Sequence, residues 1–293
     1  MSQYLLQMVA AAVAVPAADA GGEGMRHHGE VKIAVVQTAS SHDKAANREK
    51  VAALVADAVR DKPDLVVLPE AMMADFATEG GSVGDLAESL DGEFVSALRK
   101  IALEHGTAIV AGMFERSCDE ARPYNTLLAV GADGDLLGAY RKIHLYDAFG
   151  YRESDQLTPG DVAPVVVGIA GRKLGLMTCY DLRFPELSRA LVDAGAEVLV
   201  VPAAWVRGPL KEHHWTTLLT ARAIENTCYV AAAAQNGKKY CGLSQVIDPQ
   251  GVAVAAVGEA DGFVQAEISS DRLADTRTRN PSLKNRRFTV APR

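Results

Sequence analysis

The sequence predicts an α/β protein, specifically a four-layer αββα sandwich. Three observations lead to this fold class: β-branched runs alternate with segments of helical period, the second half repeats the order of the first, and the 293-residue chain has an ordinary globular composition, 48% hydrophobic and 23% charged. Each half is predicted to run β-α-β-α-β-β. Because helices on one face alone would leave the other face of each sheet bare, we expect the two sheets to stack with the helices outside.

The first half contains three β-branched runs, which predict strands, and two segments whose apolar residues recur on one helical face, which predict helices. In the first helix that face carries Val51, Val55 and Val59, and Gly106 follows the second helix where a C-cap glycine is expected. A glycine-bounded turn then joins two short runs into a hairpin. In chain order these elements are strand 31–38, helix 44–60, strand 64–68, helix 94–104, strand 107–114 and hairpin 127–140.

The second half repeats this order, and the repeat is the observation that most constrains the fold. The run RKLGLMTC matches VKIAVVQT near the start, and EVLVVPA matches DLVVLPE, including the proline at the end of the strand. A second pair of helices, a strand and a hairpin follow. In chain order the repeated elements are strand 172–179, a helix that begins around Glu186, strand 197–203, helix 212–225, strand 227–234 and hairpin 244–254.

Composition and motifs exclude several functional classes. A net charge of −7 gives no electrostatic footprint for nucleic acid, and past the first 20 residues no apolar stretch reaches the roughly 18 residues of a membrane span. The sequence lacks GxGxxG, P-loop and zincin motifs, so we expect neither a cofactor nor a metal. Four cysteines without a CxxC spacing predict reduced thiols and a cytoplasmic location.

The two ends of the chain are set apart from the predicted domain of residues 31–293. Residues 1–30 are predicted to be an N-terminal extension, either disordered or from a misassigned start. Residues 4–18 are apolar like a signal peptide, yet no Lys or Arg occurs before Arg26. At the other end, residues 272–293 hold seven Lys and Arg against one acid, which we interpret as a C-terminal arm that packs on a partner subunit.

Two side chains at the ends of predicted strands are candidates for chemistry, because ligands of α/β sheets bind at strand ends. Glu70 follows one Leu-Pro pair, whereas the repeated position holds Ala203, so the scaffold itself does not require a carboxylate there. The alternative for Glu70 is a rim carboxylate or a helix cap. Cys179 ends its strand just before a helix start, whose positive end favours a thiolate. The alternative for Cys179 is a thiol buried as a small hydrophobe.

Lys142 is a third candidate. Alternation along its strand places it on the face opposite Arg141 and Ile143, so one of the two basic residues points inward. An inward Lys142 would be a cation that stabilises an oxyanion, and the alternative is a solvated charged face. His144 next to it either completes a Cys/His dyad or is structural.

Glu70, Lys142 and Cys179 together resemble the Glu-Lys-Cys signature of the nitrilase superfamily of carbon-nitrogen hydrolases. The segments that carry the resemblance are LPE at 68–70, RKIHL at 141–145 and CYDLRFPE at 179–186. The last segment is similar to the amidase branch that includes omega-amidase and deaminated-glutathione amidase, whereas true nitrilases usually carry Cys-Trp-Glu. Two stretches, CGLSQV and DPQ, depart from the commoner Gly-His-Ser and Asp-Pro-Trp forms.

The resemblance implies both the sandwich fold and a reaction. The implied activity is hydrolysis of a small amide, of a carboxylate-bearing omega-amide type, with release of ammonia through a thioester on Cys179. Glu70 would act as the base, Lys142 and the backbone N–H of Tyr180 would hold the oxyanion, and Glu153 would orient substrate or water. The partner implied besides the substrate is a second copy of the chain, in a homodimer or a higher homo-oligomer.

Several alternatives remain open beside this interpretation. Without the resemblance, Glu153 would be read as a loop carboxylate paired with Arg152. Arg183 and Trp205 are candidates for binding an acid group of the substrate, although an arginine in the position of Arg183 is more often a structural partner of an acid, here Glu186 or Asp181. An N-carbamoyl-amine amidohydrolase would use the same four residues. A non-catalytic binding protein on the same fold is the other class considered.

Overall fold

The computed structural model describes residues 30–76 and 82–293. Most of the predicted N-terminal extension, residues 1–29, lies outside the described residues. Its final residue, Glu30, already belongs to the first strand.

Within the described residues, most strands form two six-stranded sheets with the same pattern. Three neighbouring strands of each sheet are parallel, an antiparallel hairpin extends one side, and a single antiparallel strand closes the other. Across the first sheet the order is β14 (Gly262–Ser269), β1 (Glu30–Gln37), β2 (Leu65–Val67), β3 (Ala108–Glu115), β4 (Tyr124–Val130) and β5 (Leu136–Arg141). Across the second sheet the order is β13 (Ala253–Ala256), β12 (Gln245–Ile247), β11 (Tyr229–Ala234), β10 (Val198–Ala203), β9 (Arg172–Leu176) and β8 (Val165–Ile169). A separate small hairpin pairs β6 (Asp147–Ala148) with β7 (Tyr151–Arg152).

The helices begin and end at recognisable signals. The Asp43 side chain caps the first helix, and Gly106 closes the third with a φ of 60°, as its C-cap position predicts. None of the helices in residues 30–76 and 82–293 is both long and apolar enough to cross a bilayer. In chain order they are α1 (Lys44–Ala58), α2 (Val83–Leu86), α3 (Glu93–His105), α4 (Pro185–Asp193), α5 (Lys211–Asn226), α6 (Ser270–Arg279) and α7 (Ser282–Asn285).

Alternating side chains of β1 show the layer order. Ile33 and Val35 belong to an apolar cluster that also contains strands of the second sheet, so this face lies between the sheets. Ala34 and Val36, on the opposite face, pack in a second cluster with α1 and α3. Side chains of α4 and α5 join the first cluster from the far side of the second sheet. The predicted four-layer αββα sandwich is therefore confirmed.

The structure contains strands that the predicted β-α-β-α-β-β order does not include. Each half runs β-α-β-α-β-β-β, because both strands of the hairpin extend the sheet. In addition, β8 closes the second sheet beside β9, and β14 closes the first sheet beside β1, with Glu30 opposite Ser269. These two closing strands occupy matching places in the two sheets, so the repeat extends to all six strands.

The predicted basic arm, residues 272–293, begins inside α6 and packs on its own chain. Leu273 is buried, and Arg272 forms an ion pair of 2.6 Å with Asp248. Further along, the Nε of Arg277 donates to the carbonyl of Thr227 at 3.0 Å. Packing of the remaining arm on a partner subunit stays a prediction.

Cys228 is buried in the core just before β11, as its apolar neighbours predict. Burial raises the pKa of its thiol from 9.0 to about 12. Between these two values the unfolded chain has lost the thiol proton while the folded chain keeps it, so the free energy of unfolding falls as pH rises, by about 1.4 kcal/mol per pH unit. We expect Cys228→Ala to remove that part of the alkaline slope. Urea unfolding of both proteins across this pH range measures it, and identical slopes would contradict the assignment.

Candidate active site

Glu70 lies in a turn just after β2 and is 1% exposed. Its carboxylate accepts three hydrogen bonds: Oε1 accepts from Asn125 Nδ2 at 2.7 Å and from Lys142 Nζ at 3.1 Å, and Oε2 accepts from the backbone N–H of Ala204 at 2.6 Å. These partners come from both sheets. Glu70 is thus a fixed, buried carboxylate at the junction of the two halves, rather than a rim carboxylate or a helix cap.

The turn that carries Glu70 depends on a close backbone approach. Ala71 has a φ of 55°, in the left-handed region that L residues rarely adopt. On the neighbouring β3, a Cβ at Gly112 would lie 2.9 Å from the Cα of Glu70 and 2.6 Å from the backbone nitrogen of Ala71. Only glycine leaves room for the turn at this point. The amide of Gln235 also donates to the Glu70 carbonyl at 2.8 Å, which anchors the turn to the second half.

Lys142, just after β5, points inward and is 2% exposed. Its Nζ lies 3.1 Å from Glu70 Oε1, and 3.0 and 2.9 Å from the two carboxylate oxygens of Glu153. Burial opposes the charged form of Lys142, but Glu153 and Glu70 outweigh it and raise the lysine pKa well above its ordinary value. One ammonium therefore holds two buried carboxylates together.

Glu153 lies in a short 3-10 turn after β7 and is buried with its partners. Besides Lys142, its carboxylate accepts from the backbone N–H of Tyr146 at 2.5 Å. Burial raises the pKa of this carboxyl, although Lys142 acts in the opposite direction. The neighbouring Arg152 pairs instead with Asp155 at 3.6 Å. The alternative of a loop carboxylate paired with Arg152 is therefore wrong.

Cys179 opens a 3-10 turn between β9 and α4, with a φ of 46°. The buried Asp181 fixes this turn, since its carboxylate accepts hydrogen bonds from the backbone N–H of Thr178 at 2.9 Å and from the hydroxyl of Tyr140 at 2.7 Å. His144 Nδ1 also lies 2.7 Å from Asp181. His144 is thus tied to the support of the turn, as a structural histidine would be.

The structure corrects one expectation about Cys179. The sequence places the thiol near the positive end of a helix, which favours the thiolate. In the folded chain Cys179 is only 8% exposed, and burial followed by the charge of Glu70 raises its pKa well above 9.0, with Lys142 opposing. Burial and the negative charges of Glu70 and Glu153 together raise the thiol pKa more than the helix end is expected to lower it. The resting thiol is protonated, so it needs a base to become a nucleophile.

Glu70, Lys142, Glu153 and Cys179 all line one cavity of about 840 Å³. The residue that follows the cysteine, Tyr180, also lines it. The four groups, which the sequence proposed from four separate segments, are therefore brought to one cavity. Within the described residues, no three histidine, cysteine or acidic side chains gather into a set that could hold a metal ion.

The two predicted substrate-binding residues differ in position. Trp205 lines the cavity. Arg183 is not one of the lining residues, and its guanidinium lies 4.7 Å from the centroid of the Trp205 ring. Arg183 forms no ion pair with Glu186 or Asp181 in the described residues; its Nη2 lies 3.4 Å from His214 Nδ1 instead. The structural partners considered from the sequence are therefore not the ones observed.

Sequence reasoning missed several groups that shape the site. The amide of Asn125 donates a hydrogen bond to Glu70. The only sequence feature that pointed to Asn125 was a single amide side chain within the apolar run YNTLLAV. The backbone N–H of Ala204 carried no signal, because any residue supplies one. Lys211 and Tyr146 also line the cavity and bond each other at 2.7 Å. Their pairing joins segments far apart in sequence, which local patterns do not reveal.

Replacing Lys142 with methionine is expected to lower the free energy of unfolding by about 3–5 kcal/mol, because two buried carboxylates lose their shared cation. The exposed Lys173 on β9 provides a matched control, and Lys173→Met should change stability by less than about 1 kcal/mol. Urea unfolding at neutral pH measures both. Equal stability of the two variants would contradict a buried ion-pair network.

Comparisons with known proteins identify several similar chains. A model of the family described as Carbon-nitrogen hydrolase matches residues 32–278. The chain is 44% identical over 242 residues to the deaminated glutathione amidase of Escherichia coli O157:H7, covering 83% of this chain and 92% of that protein. The structure also resembles that of XC1258 from Xanthomonas campestris, a CN-hydrolase superfamily protein with an arsenic adduct in its active site. The TM-score is 0.80 and the sequence identity 32%, and the match covers 90% of this chain and 99% of XC1258. An amidase of Nesterenkonia sp. AN1, solved with acrylamide added to its active-site cysteine, matches at a TM-score of 0.73 and 27% identity over 87% and 98% of the two chains.

Proposed function

The chain belongs to the carbon-nitrogen hydrolase family, and from that premise we propose that it hydrolyses a small, carboxylate-bearing amide through an acyl-thioester on Cys179. The family match and the similarity to a named amidase make it a hydrolase of amide carbon-nitrogen bonds. This membership favours an enzyme over the non-catalytic protein that the sequence left open. The observation that carries the proposal is the position of Cys179 beside Glu70 and Lys142 in one cavity.

In the first step Glu70 takes the proton of the Cys179 thiol, and Sγ attacks the amide carbon. The C–S bond forms while the π electrons of the carbonyl move to its oxygen. The raised pKa of the buried thiol supports this assignment, because such a thiol ionises only when a neighbouring group accepts its proton. Glu70 is the carboxylate with the largest effect on that pKa.

The resulting oxyanion is held by the ammonium of Lys142 and the backbone N–H of Tyr180. Donors fixed before the reaction stabilise a developing charge more than mobile ones do. The ion pairs of Lys142 with Glu70 and Glu153 fix the ammonium in this way. Tyr180 lines the cavity directly after the nucleophile, which supports a role for its N–H.

Collapse of this intermediate breaks the C–N bond, and the leaving nitrogen takes the proton from Glu70. A thioester remains on Cys179. Glu70, again a carboxylate, then takes a proton from water as the water attacks the thioester carbon. The C–S bond breaks, and the departing thiolate takes this proton back from Glu70, which restores the thiol and the carboxylate. Glu153, held by Lys142 and the N–H of Tyr146, orients the substrate or this water.

The substrate class we propose is an omega-amide whose acyl half carries a carboxylate. The similarity to a deaminated glutathione amidase supports it, since deaminated glutathione keeps a carboxylate on the acyl side of its γ-amide. With that substrate the leaving group is a peptide amine, and with a simple omega-amide it is ammonia. Both reactions break the same type of bond.

A substrate panel tests the proposal. We expect deaminated glutathione and 2-oxo-acid omega-amides to be hydrolysed in preference to aliphatic amides, ureido acids and nitriles. Release of ammonia and of amine should be measured separately, and release of carbon dioxide from a ureido acid would instead indicate an N-carbamoyl-amine amidohydrolase. Hydrolysis of aliphatic amides alone would contradict the carboxylate-bearing class.

We also propose that the chain forms a homodimer, as the resemblance implies. The C-terminal segment supports this proposal, because the apolar side chain of Phe288 is 89% exposed there beside Arg286 and Arg287. Sedimentation equilibrium of the full chain tests the assembly directly.

A further inference from the structure

Lys211 is a buried cation of the cavity wall that the proposed chemistry does not use. It is the first residue of α5, is 5% exposed, and lines the same cavity as Cys179. Its Nζ donates a hydrogen bond to the hydroxyl of Tyr146 at 2.7 Å. In the part of the chain that the structure describes, this ammonium forms no ion pair with a carboxylate.

The other cations that line the cavity either pair with a carboxylate or, in the case of Arg207, are exposed. Lys142 is neutralised by the two glutamates of the site. Lys239 lies 3.5 Å from a carboxylate oxygen of Asp75, and Arg207 donates through Nε to a backbone carbonyl at 2.8 Å. Lys211 is thus a buried charge at the cavity without an anionic partner, and burying such a charge costs free energy unless a ligand compensates it.

Aromatic rings surround the Lys211 ammonium. Its Nζ lies 4.2 Å from the ring centroid of Phe149, 4.7 Å from that of Tyr146 and 5.6 Å from that of Trp205. Ring faces attract a cation but do not occupy all three N–H donors of an ammonium. Burial, and then the charge of Arg183, lower the pKa of Lys211. An anion bound here would relieve this repulsion and accept the remaining N–H groups.

We propose that Lys211 binds the carboxylate on the acyl half of the substrate and thereby selects carboxylate-bearing amides. The inference rests on the proposed function, whose substrate it specifies. Tyr146 connects the two ends of the site, since its backbone N–H donates to Glu153 while its hydroxyl accepts from Lys211. The ammonium and the nucleophile line the same cavity, so one bound molecule can contact both.

The effect of Lys211 is measured by comparing an acid with its neutral isostere. The probes are glutaramate, the monoamide of a five-carbon diacid, and 5-oxohexanamide, in which a methyl ketone replaces the carboxylate. Because a hydrogen bond to a charged group contributes more than a neutral one, Lys211→Met should lower the kcat/KM ratio of acid to isostere by about 10- to 100-fold. Lys211→Arg, which keeps the charge, should lose less of this ratio. Lys238→Met, an exposed lysine outside the cavity lining, should leave it unchanged.

Binding without turnover separates this inference from the proposed function. Calorimetry measures the binding of glutarate to two proteins that cannot turn over an amide, Cys179→Ala and the double variant Cys179→Ala with Lys211→Met. We expect the double variant to bind glutarate about 10- to 100-fold more weakly. Equal affinity in the two proteins, or an unchanged acid-to-isostere ratio in an active enzyme, would overturn the role of Lys211. If affinity falls but no amide of the panel is hydrolysed, the proposed function fails while the carboxylate site stands.

Discussion

Replacing Cys179 with alanine is expected to abolish amide hydrolysis, with kcat reduced by about 10⁴-fold or more. The reason is chemical: alanine removes the atom that forms the thioester, and the described residues place no second thiol on the cavity wall. Amine or ammonia release from the best substrate of the panel measures the loss. In the wild-type enzyme, rapid acid quenching followed by mass spectrometry should show the acyl group on the peptide that contains Cys179.

The other cysteines provide matched controls for this result. Cys228 and Cys241 are buried outside the cavity wall, and Cys118 is exposed on a loop. Cys228→Ala and Cys118→Ala should retain activity within a few-fold. Wild-type activity in Cys179→Ala would mean that another group attacks the amide, and an acyl group found on any other cysteine would do the same.

Replacing Glu70 with glutamine is expected to lower kcat for amides by about 10²- to 10⁴-fold, the usual contribution of a general base and acid. Glutamine preserves the size of the side chain but neither accepts the Cys179 proton nor returns one to the leaving nitrogen. A 4-nitrophenyl ester tests this role, since its leaving group departs without a proton. Glu70→Gln should therefore slow acylation by the ester less than acylation by the amide, because the ester needs only removal of the thiol proton and not the return of a proton to its leaving group.

Glu88 offers the control for Glu70. It is also a buried glutamate, but it pairs with Lys44 at 2.9 Å and caps α3 through the N–H of Phe94, away from the cavity wall. Glu88→Gln should affect stability more than kcat. If Glu70→Gln slowed acylation by the ester and by the amide equally, the proposed proton transfer from Glu70 to the leaving nitrogen would be wrong.

The sequence predicted the central strands and the site because both depend on local patterns. The ends of β2 and β9 could be read from β-branched runs, and ligands of α/β sheets bind at strand ends, which made Glu70 and Cys179 candidates. Alternation along β5 predicted that either Arg141 or Lys142 points inward, and the structure shows that Lys142 does. The internal repeat added a comparison within one chain, because Ala203 showed that a carboxylate at position 70 serves no general structural need.

What the sequence did not predict depends on contacts between distant segments. The partners of the closing strands β8 and β14 are fixed only when the whole sheet assembles. The pKa direction of Cys179 was missed because it is decided by burial between two sheets, not by the neighbouring helix. Lys211 gave no local signal, since a lysine in the first turn of a helix is ordinarily solvated.

The pairing of β14 with β1 determines when the first sheet can be completed during synthesis. β1 is among the earliest strands to leave the ribosome, yet its antiparallel partner is the final strand of the described chain. Until that partner is made, β1 presents an open edge, and such edges recruit strands from other chains. Nascent or truncated forms that end before residue 262 should therefore aggregate, and the long sequence separation of this pair should make closure of the sheet a slow step in refolding.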